Sequence, residues 1–568
     1  SSRNKKKLCD MAPTKALLVV AVMMMTTPSS AFVLHSSNAG QSSSPLLRRQ
    51  TPNQKQHSRR GPMRFLSEVE EKGPLASAVE QALDTVEDAV MHFRRLRVES
   101  EIRARKARGN KKRVVVLGSG WGAHALMKVI DAAQFDVTIV SPINHFLFTP
   151  MLPGAAVGTV EYRSMTESVR RSNPLVEYVE GSAVDVDPLA QTVTVEVVPL
   201  TQGDAPCQKK VAYDRLVVAC GVRANDAVVP GAREHCYKLK ECDDAVKLRR
   251  AVSSRFETAA AMEEDPELRK RLLTFVVVGG GPTGVELAGE LSDFIRDVRR
   301  RFPTLNYDEP RVVLIHAGQE LLPQFEAPQR EESLRVLRDV LGVQVVLGAK
   351  VKRVDATHLT LSGDDDLHVL PFGVAVWCAG TAPQPFMETL LERLPPSAAN
   401  GRFLAVDDWL RVPMDDSSSI RKGSILGLGD CARLESPLPA TAQVAAQQGA
   451  YVARFLNRNY DGQTPPQVID AAFEDRFFEK VWLYDIRRAT TAPTFDFLNV
   501  GQLAYLGAGK ALAEVSFRDF PLGAYVGSTG YLLWKSVYVA KQVATRNRLL
   551  ITFDWLKAYL FGRDITRL

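Results

Sequence analysis

Arg113–Ala123 reads RVVVLGSGWGA. The β-branched run Val114–Leu117 shows no polar alternation, the pattern of a strand covered on both faces. Gly118, Gly120 and Ala123 then follow the spacing G-x-G-x-x-G/A, with Gly122 inside it. In that spacing the first glycine permits a tight turn and the second lets backbone approach a pyrophosphate. The third small residue lets a helix pack on the strand. The helix N-terminus adds unpaired N–H groups and the positive end of a dipole. An ordinary strand–turn–helix explains one such loop equally well.

The loop is repeated. Leu273–Glu286, LTFVVVGGGPTGVE, carries Gly279, Gly281 and Gly284 after a second apolar run, and Ser424–Ala432, SILGLGDCA, ends a third strand in Gly429-Asp430. This order predicts an α/β fold with two Rossmann-like, glutathione-reductase-like dinucleotide-binding domains. FAD belongs on the first loop and NAD(P)H on the second. The expected divisions are an FAD-binding domain over 112–222 and 371–456, an NAD(P)H-binding domain over 223–370, and a C-terminal domain over 457–568.

Several positions refine the two sites. An acid at the end of the strand Phe135–Ser141 is expected to hold the FAD ribose, and Ser141 stands there. Asp430 is placed for the ribityl chain or the nearby phosphate. In the second unit, Glu286 and Glu290 lie one turn apart. They read either as solvated helix residues or, for Glu286 in the first turn, as part of the nicotinamide site. The strand Arg311–Ile315 is followed by His316 where an acid would select NADH. Its absence removes repulsion of a 2′-phosphate, and a protonated histidine would pair with one. NADPH is then tolerated or preferred; a neutral rim histidine is the alternative. Gly380, in VAVWCAG, is assigned to the NAD(P)H set where the chain returns to the flavin domain. Gln443 and Gln447 share one face of the helix within Pro437–Leu456.

With 568 residues and a charge of +7, the chain supports two or three cores and does not suggest nucleic acid. Seven cysteines include no C-x-x-C pair, which argues against zinc and against a dithiol reductase. No metal is expected. Residues 1–66 read as a bipartite targeting presequence: an apolar core Ala16–Met25, then a stretch rich in Ser, Gln and Arg. It resembles the presequence of algae with secondary red plastids. The expected location is the plastid, at the thylakoid membrane surface, with the mitochondrial inner membrane as the alternative. Residues 67–111 read as a charged helical linker outside the core. Tyr525–Leu568 mixes aromatic residues with seven basic ones against two acids and has no membrane-spanning run. That composition suits an interfacial membrane anchor, or else a docking helix or dimer interface.

GSGWGA, HFLFTPMLPGAAVGTVEYRS, VVGGGPTGVELAGEL, GLGDCA, PATAQVAAQ, GQLAYLG and TRNRLLITFDWLKAYLFGRD together resemble the type II NAD(P)H dehydrogenases, over roughly 112–568. The resemblance implies non-covalent FAD held by Gly118, Gly120, Gly122, Ala123, Ser141, Gly429 and Asp430. It implies NAD(P)H at Gly279, Gly281, Gly284, Glu286, His316 and Gly380, with Gln443 and Gln447 lining a quinone site reached from the membrane. The flavin carries the hydride and electron chemistry, so no catalytic side chain is expected, and a homodimer stays open. No D-x-D-x-D-G calcium loop is present. Two rival readings remain: a sulfide:quinone or disulfide-reductase-like flavoenzyme, and a flavoprotein redox sensor or scaffold in a membrane complex.

Overall fold

The computed structural model describes residues 111–566 apart from 198–206, 263, 307, 363–366, 461, 468–490 and 519, together with Asp84 and Asp88. The expected presequence lies outside these residues, as does nearly all of the expected linker.

The first unit begins with β1 (Lys112–Leu117), α1 (Trp121–Val129) and β2 (Phe135–Ser141). It continues through β3 (Glu177–Asp187), β4 (Thr192–Val197), β5 (Cys207–Ala212) and β6 (Arg215–Val218). Then come α2 (Cys242–Ala261), β7 (Thr274–Val278), α3 (Pro282–Val298), β8 (Arg311–His316), β9 (Gln344–Leu347) and β10 (Val374–Trp377). The chain returns with β11 (Ile425–Gly427) and α4 (Ala442–Asn457). It ends in β12 (Gln502–Gly507), β13 (Lys510–Phe517), β14 (Phe520–Gly527), α5 (Ser528–Ala540) and α6 (Thr545–Phe561).

Two parallel sheets carry the architecture. The first runs β11-β6-β1-β2-β3-β4-β5, with β1 central and parallel to β2 and β6. Val114–Leu117 are fully buried, as their unbroken apolar run requires in a sheet covered on both faces. β4 and β5 turn back as an antiparallel meander on β3. The second sheet runs β9-β8-β7-β10, all parallel. Between the units, Val222–Ala224 pairs antiparallel with Thr381–Pro383, so the chain crosses twice through one small ladder. β12, β13 and β14 form a separate antiparallel sheet on which α5 packs.

Two helix contacts fix how these units meet. A Cβ on Gly449 of α4 would lie 2.0 Å from the Gly122 carbonyl of α1, so these helices touch backbone to backbone. A Cβ on Gly289 of α3 would lie 2.4 Å from Leu506 O, which seats α3 directly on β12. Within the stretch expected to be a linker, helical Asp84 and buried Asp88 both pair with Arg454 of α4, at 3.4 and 3.1 Å. At this point the stretch is docked on the fold rather than outside it.

Candidate functional site

The two glycine loops are built alike. Each first glycine has positive φ, +115° at Gly118 and +122° at Gly279, where any side chain is strained. Each donates its N–H to the end of the neighbouring strand at 2.8 Å, Gly118 to Val140 O and Gly279 to Ile315 O. Each second glycine faces empty space: a Cβ on Gly120 or on Gly281 meets nothing within 4 Å. These residues are the N-caps of α1 and α3, and neither helix start has a side-chain cap. The first-turn N–H groups are therefore accessible to an anion at the carboxyl ends of the strands, the geometry a dinucleotide pyrophosphate needs. Ala123 is fully buried, and Gly284 packs so closely that a Cβ would lie 1.9 Å from Gly279 O.

Four expected site residues have other duties. Gly122 turns away from the loop, since a Cβ there would strike Leu428 Cδ1 at 2.1 Å; it is a packing residue. Ser141 is buried, and its hydroxyl is engaged with Ser119 Oγ at 3.1 Å and with the Ile143 N–H at 3.1 Å. It shapes the loop from inside. Gly380 lies in the crossover, where its carbonyl accepts from Asn225 N, instead of on the second loop. Gln447 spends both ends of its amide on one backbone residue, donating to Leu498 O at 2.8 Å and accepting from Leu498 N at 2.9 Å. That clamp fixes the side chain and leaves its second N–H as the one donor it could offer a quinone. Gln443 differs: its buried Nε2 has no hydrogen-bond partner among the described residues.

His316 ends β8 beneath the second loop, and its Nδ1 accepts the Gly280 N–H at 3.1 Å. Burial lowers its pKa, with a smaller opposing contribution from the Glu320 backbone. That direction favours the neutral ring and so works against the expected pairing of a protonated histidine with a 2′-phosphate. The absence of an acid at this position stands. Gly429 and Asp430 follow β11 in a single turn, and Gln448 accepts the Gly429 N–H at 2.7 Å. Gln448 was not legible as a site residue, because only the return of α4 over this turn gives it a role.

Glu286 and Glu290 are both buried, not solvated. Glu286 Oε1 accepts the Tyr505 N–H at 3.2 Å, so its side chain points under β12 and away from the open face of the loop. Burial pushes its carboxyl up to about 8, the Tyr505 bond opposes this, and Glu290 adds to it. Glu290 Oε2 accepts from Thr159 Oγ1 at 2.9 Å and from Arg563 Nη2 at 3.0 Å. Asp293, a turn further on, accepts from Tyr505 Oη at 2.7 Å and from Ala508 N at 3.0 Å.

A wall of rings joins the two loops. Trp121, at the start of α1, lies 5.1 Å from Phe148, which lies 5.8 Å from Tyr538; Tyr538 is 4.7 Å from Trp534, and Trp534 is 5.4 Å from Tyr505. The GQLAYLG strand and α5 thus close the space between the nucleotide units. Two cysteines form a pair: a side-chain hydrogen bond between Cys220 and Cys431 lowers the Cys431 thiol and raises that of Cys220. Cys378 is pushed up to about 12 by burial, and Cys431 is fully buried, its Sγ directed at Val218 O and Leu428 O.

Most of the tail's described cations are used inside the protein. Arg548 bonds Ala540 O and Gln542 O, Arg546 bonds Arg163 O, Lys557 pairs with Glu161, Arg563 with Glu290, and Lys535 lies over Tyr531 and Trp555. Asn547, Ile551 and Asp554 form the buried face of α6. Leu549, Phe553, Leu556 and Leu560, at helical spacing, form its exposed one, with Phe553 62% exposed. No described helix is long and apolar enough to cross a membrane.

Two parallel sheets with paired phosphate-type loops, and a third unit sealing them, define a two-dinucleotide oxidoreductase. The model of the pyridine nucleotide-disulphide oxidoreductase family matches residues 112–449, and that of the NDH2 C-terminal domain matches 500–564. The chain is 37% identical over 464 residues to External NADH-ubiquinone oxidoreductase 2, mitochondrial, of Saccharomyces cerevisiae, covering 80% of this chain and 82% of that protein. It is 35% identical over 476 residues to Internal alternative NAD(P)H-ubiquinone oxidoreductase A1, mitochondrial, of Arabidopsis thaliana, covering 81% and 86%. The fold matches that of NDH2 from Plasmodium falciparum solved in complex with NADH, with a TM-score of 0.69 at 23% identity, over 80% of this chain and 100% of that one. The chain belongs to the type II NAD(P)H–quinone oxidoreductases, an FAD-binding family.

Proposed function

We propose that this chain is a non-proton-pumping NAD(P)H:quinone oxidoreductase working at a membrane surface. The observation that carries the reading is the pair of matched, uncapped glycine loops joined by one aromatic wall. Bound FAD supplies the capacity to accept a hydride and release two electrons. Gly118, Gly120 and the start of α1 would hold its pyrophosphate, with Asp430 at the neighbouring strand end. Gly279, Gly281 and the start of α3 would hold NAD(P)H. Glu286, protonated at neutral pH, keeps a transferable proton where water is excluded, and the unpaired Gln443 Nε2 offers a donor to a carbonyl oxygen. The exposed apolar face of α6 would rest on the lipid surface, with quinone arriving from that side.

The relatives' mitochondrial names favour the mitochondrial inner membrane over the plastid expected from the presequence. A fluorescent fusion to residues 1–66 decides between them. The function itself is tested by steady-state oxidation of NADH and of NADPH by the FAD-loaded protein with a short-chain quinone. Quinone-dependent turnover supports the reading, and its absence with both donors refutes it. The sulfide:quinone rival predicts loss of that turnover in the Cys378→Ser, Cys431→Ser double variant; full activity there removes it.

A further inference from the structure

The C-terminal end of α6 is tied into the nucleotide unit more heavily than an anchor requires. Arg301 donates to the carbonyls of Phe561 and Arg563 at 3.1 and 2.8 Å, and Arg249 to Asp564 O at 2.9 Å. Arg563 itself turns inward and is 8% exposed. Its Nε donates to Thr159 Oγ1 at 2.9 Å, its Nη2 to Glu290 Oε2 at 3.0 Å, and its Nη1 bonds Asp297. Thr159 in turn donates to the same Glu290 oxygen. Glu290 follows Glu286 by one turn of α3.

We infer that Arg563 is a positioning residue for the proton-holding carboxyl of Glu286. It acts through Glu290 and joins the end of the membrane-facing helix to the buried site. The inference rests on the role given to Glu286 above. A buried carboxylate keeps its charge only when paired. Burial pushes the Glu290 carboxyl up, and against it Arg563 supplies a cation and Thr159 a second donor, which favour a charge one turn of α3 from Glu286. The other ionisable groups around the two carboxyls are Asp293 on α3, Tyr505 on β12, and Tyr531, Lys535 and Tyr538 on α5. Asp297 and Asp293 share the field of Arg563. None of these supplies a hydrogen-bonded cation to Glu290, so loss of Arg563 leaves it a hydroxyl alone. Glu290 then takes up a proton, and Glu286 loses the like charge beside it.

The test is the pH profile of kcat for quinone reduction by the FAD-loaded, full-length enzyme, with NADH and a short-chain quinone. Flavin content and melting temperature are recorded for every variant. Glu286→Gln removes the inflection that belongs to Glu286. Arg563→Gln moves that inflection to lower pH by about half a unit or more, leaving the KM for NADH unchanged. Glu290→Gln moves it the same way, and the double variant moves it no further. Arg563→Lys restores part of the shift. If the inflection is lost in Glu286→Gln yet stays in place in folded Arg563→Gln, the link through Arg563 is overturned and the role of Glu286 survives. A shift in Arg563→Gln that adds to that of Glu290→Gln also overturns the link. An inflection unchanged in Glu286→Gln overturns the underlying role instead. Should Arg563→Gln not fold, Arg563→Lys and Glu290→Gln carry the same comparison, and unshifted profiles in both refute the inference.

Discussion

Glu286→Gln isolates one buried carboxyl, and its consequence for stability follows from the structure. The side chain is buried beneath β12, and its pKa rises from an ordinary 4.5 to about 8 in the folded protein. Gln keeps the shape and an oxygen to accept the Tyr505 N–H, so the substitution removes the titration while retaining the contact. Between those two values the native state binds a proton that the unfolded chain has released. Stability therefore falls as pH rises through this window, by up to ~1.4 kcal/mol per pH unit from this group. Below 4.5 both states are protonated and the group contributes nothing; above 8 the full loss has accrued. Relative to wild type, Gln should gain about 2–3 kcal/mol between pH 6 and pH 8. Equilibrium denaturation of both proteins at pH 6, 7 and 8 measures it. Parallel stabilities across that range would show that Glu286 is already ionised in the native state, and the proton store assigned to it would fall.

Four other outcomes are expected. Gly120→Val, whose added atoms enter open space beside the α1 N-terminus, should leave the fold intact but lower bound FAD, read from flavin absorbance; unchanged FAD content would remove Gly120 from the cofactor site. Gln447→Leu should cost about 2–4 kcal/mol, since two hydrogen bonds are lost and the Leu498 N–H and C=O are left unpaired. Gln443→Leu should leave stability nearly unchanged and raise the quinone KM, and the reverse pattern in these two variants would refute the roles given them. Because burial lowers the His316 pKa, the KM ratio of NADPH to NADH should not vary between about pH 6.5 and 8 through this residue, whereas His316→Glu should shift preference towards NADH; a ratio that changes with the imidazole titration in wild type but not in His316→Gln would contradict this. Leu549→Asp with Phe553→Asp should weaken liposome binding by about 100-fold or more, with activity towards a water-soluble quinone retained; undiminished flotation would move the contact surface away from α6.

Both nucleotide units were legible because their signals are local. A β-branched run followed by spaced glycines encodes strand, turn and helix within about a dozen residues, and Gly118 and Gly279 adopt the strained backbone that only this residue type tolerates. Gly122 shows where local reading stops. It sits inside the same motif, yet its lack of a side chain serves Leu428 and α4, far away in sequence. Ser141 is similar: its position in the strand is right for a ribose contact, but its small hydroxyl is buried and engaged with Ser119 and the Ile143 N–H.

The helix holding the three glutamines and the C-terminal tail were harder for one reason. In both, a side chain's role depends on what another part of the chain places opposite it. Spacing put Gln443 and Gln447 on one face, but Gln447 meets the Leu498 backbone, Gln448 meets Gly429, and the buried Gln443 Nε2 has no hydrogen-bond partner among the described residues. In the tail, spacing and charge implied an apolar face with a basic face opposite it. The carbonyls at the end of α5 and the carboxylates of α3 draw the arginines inward instead, so the outward face of α6 is apolar. Attachment to a bilayer should then depend chiefly on insertion of Leu549, Phe553 and Leu556 and only weakly on anionic lipid. Raising the salt concentration should accordingly release little protein from anionic vesicles, whereas a peripheral protein held by headgroup charge would dissociate.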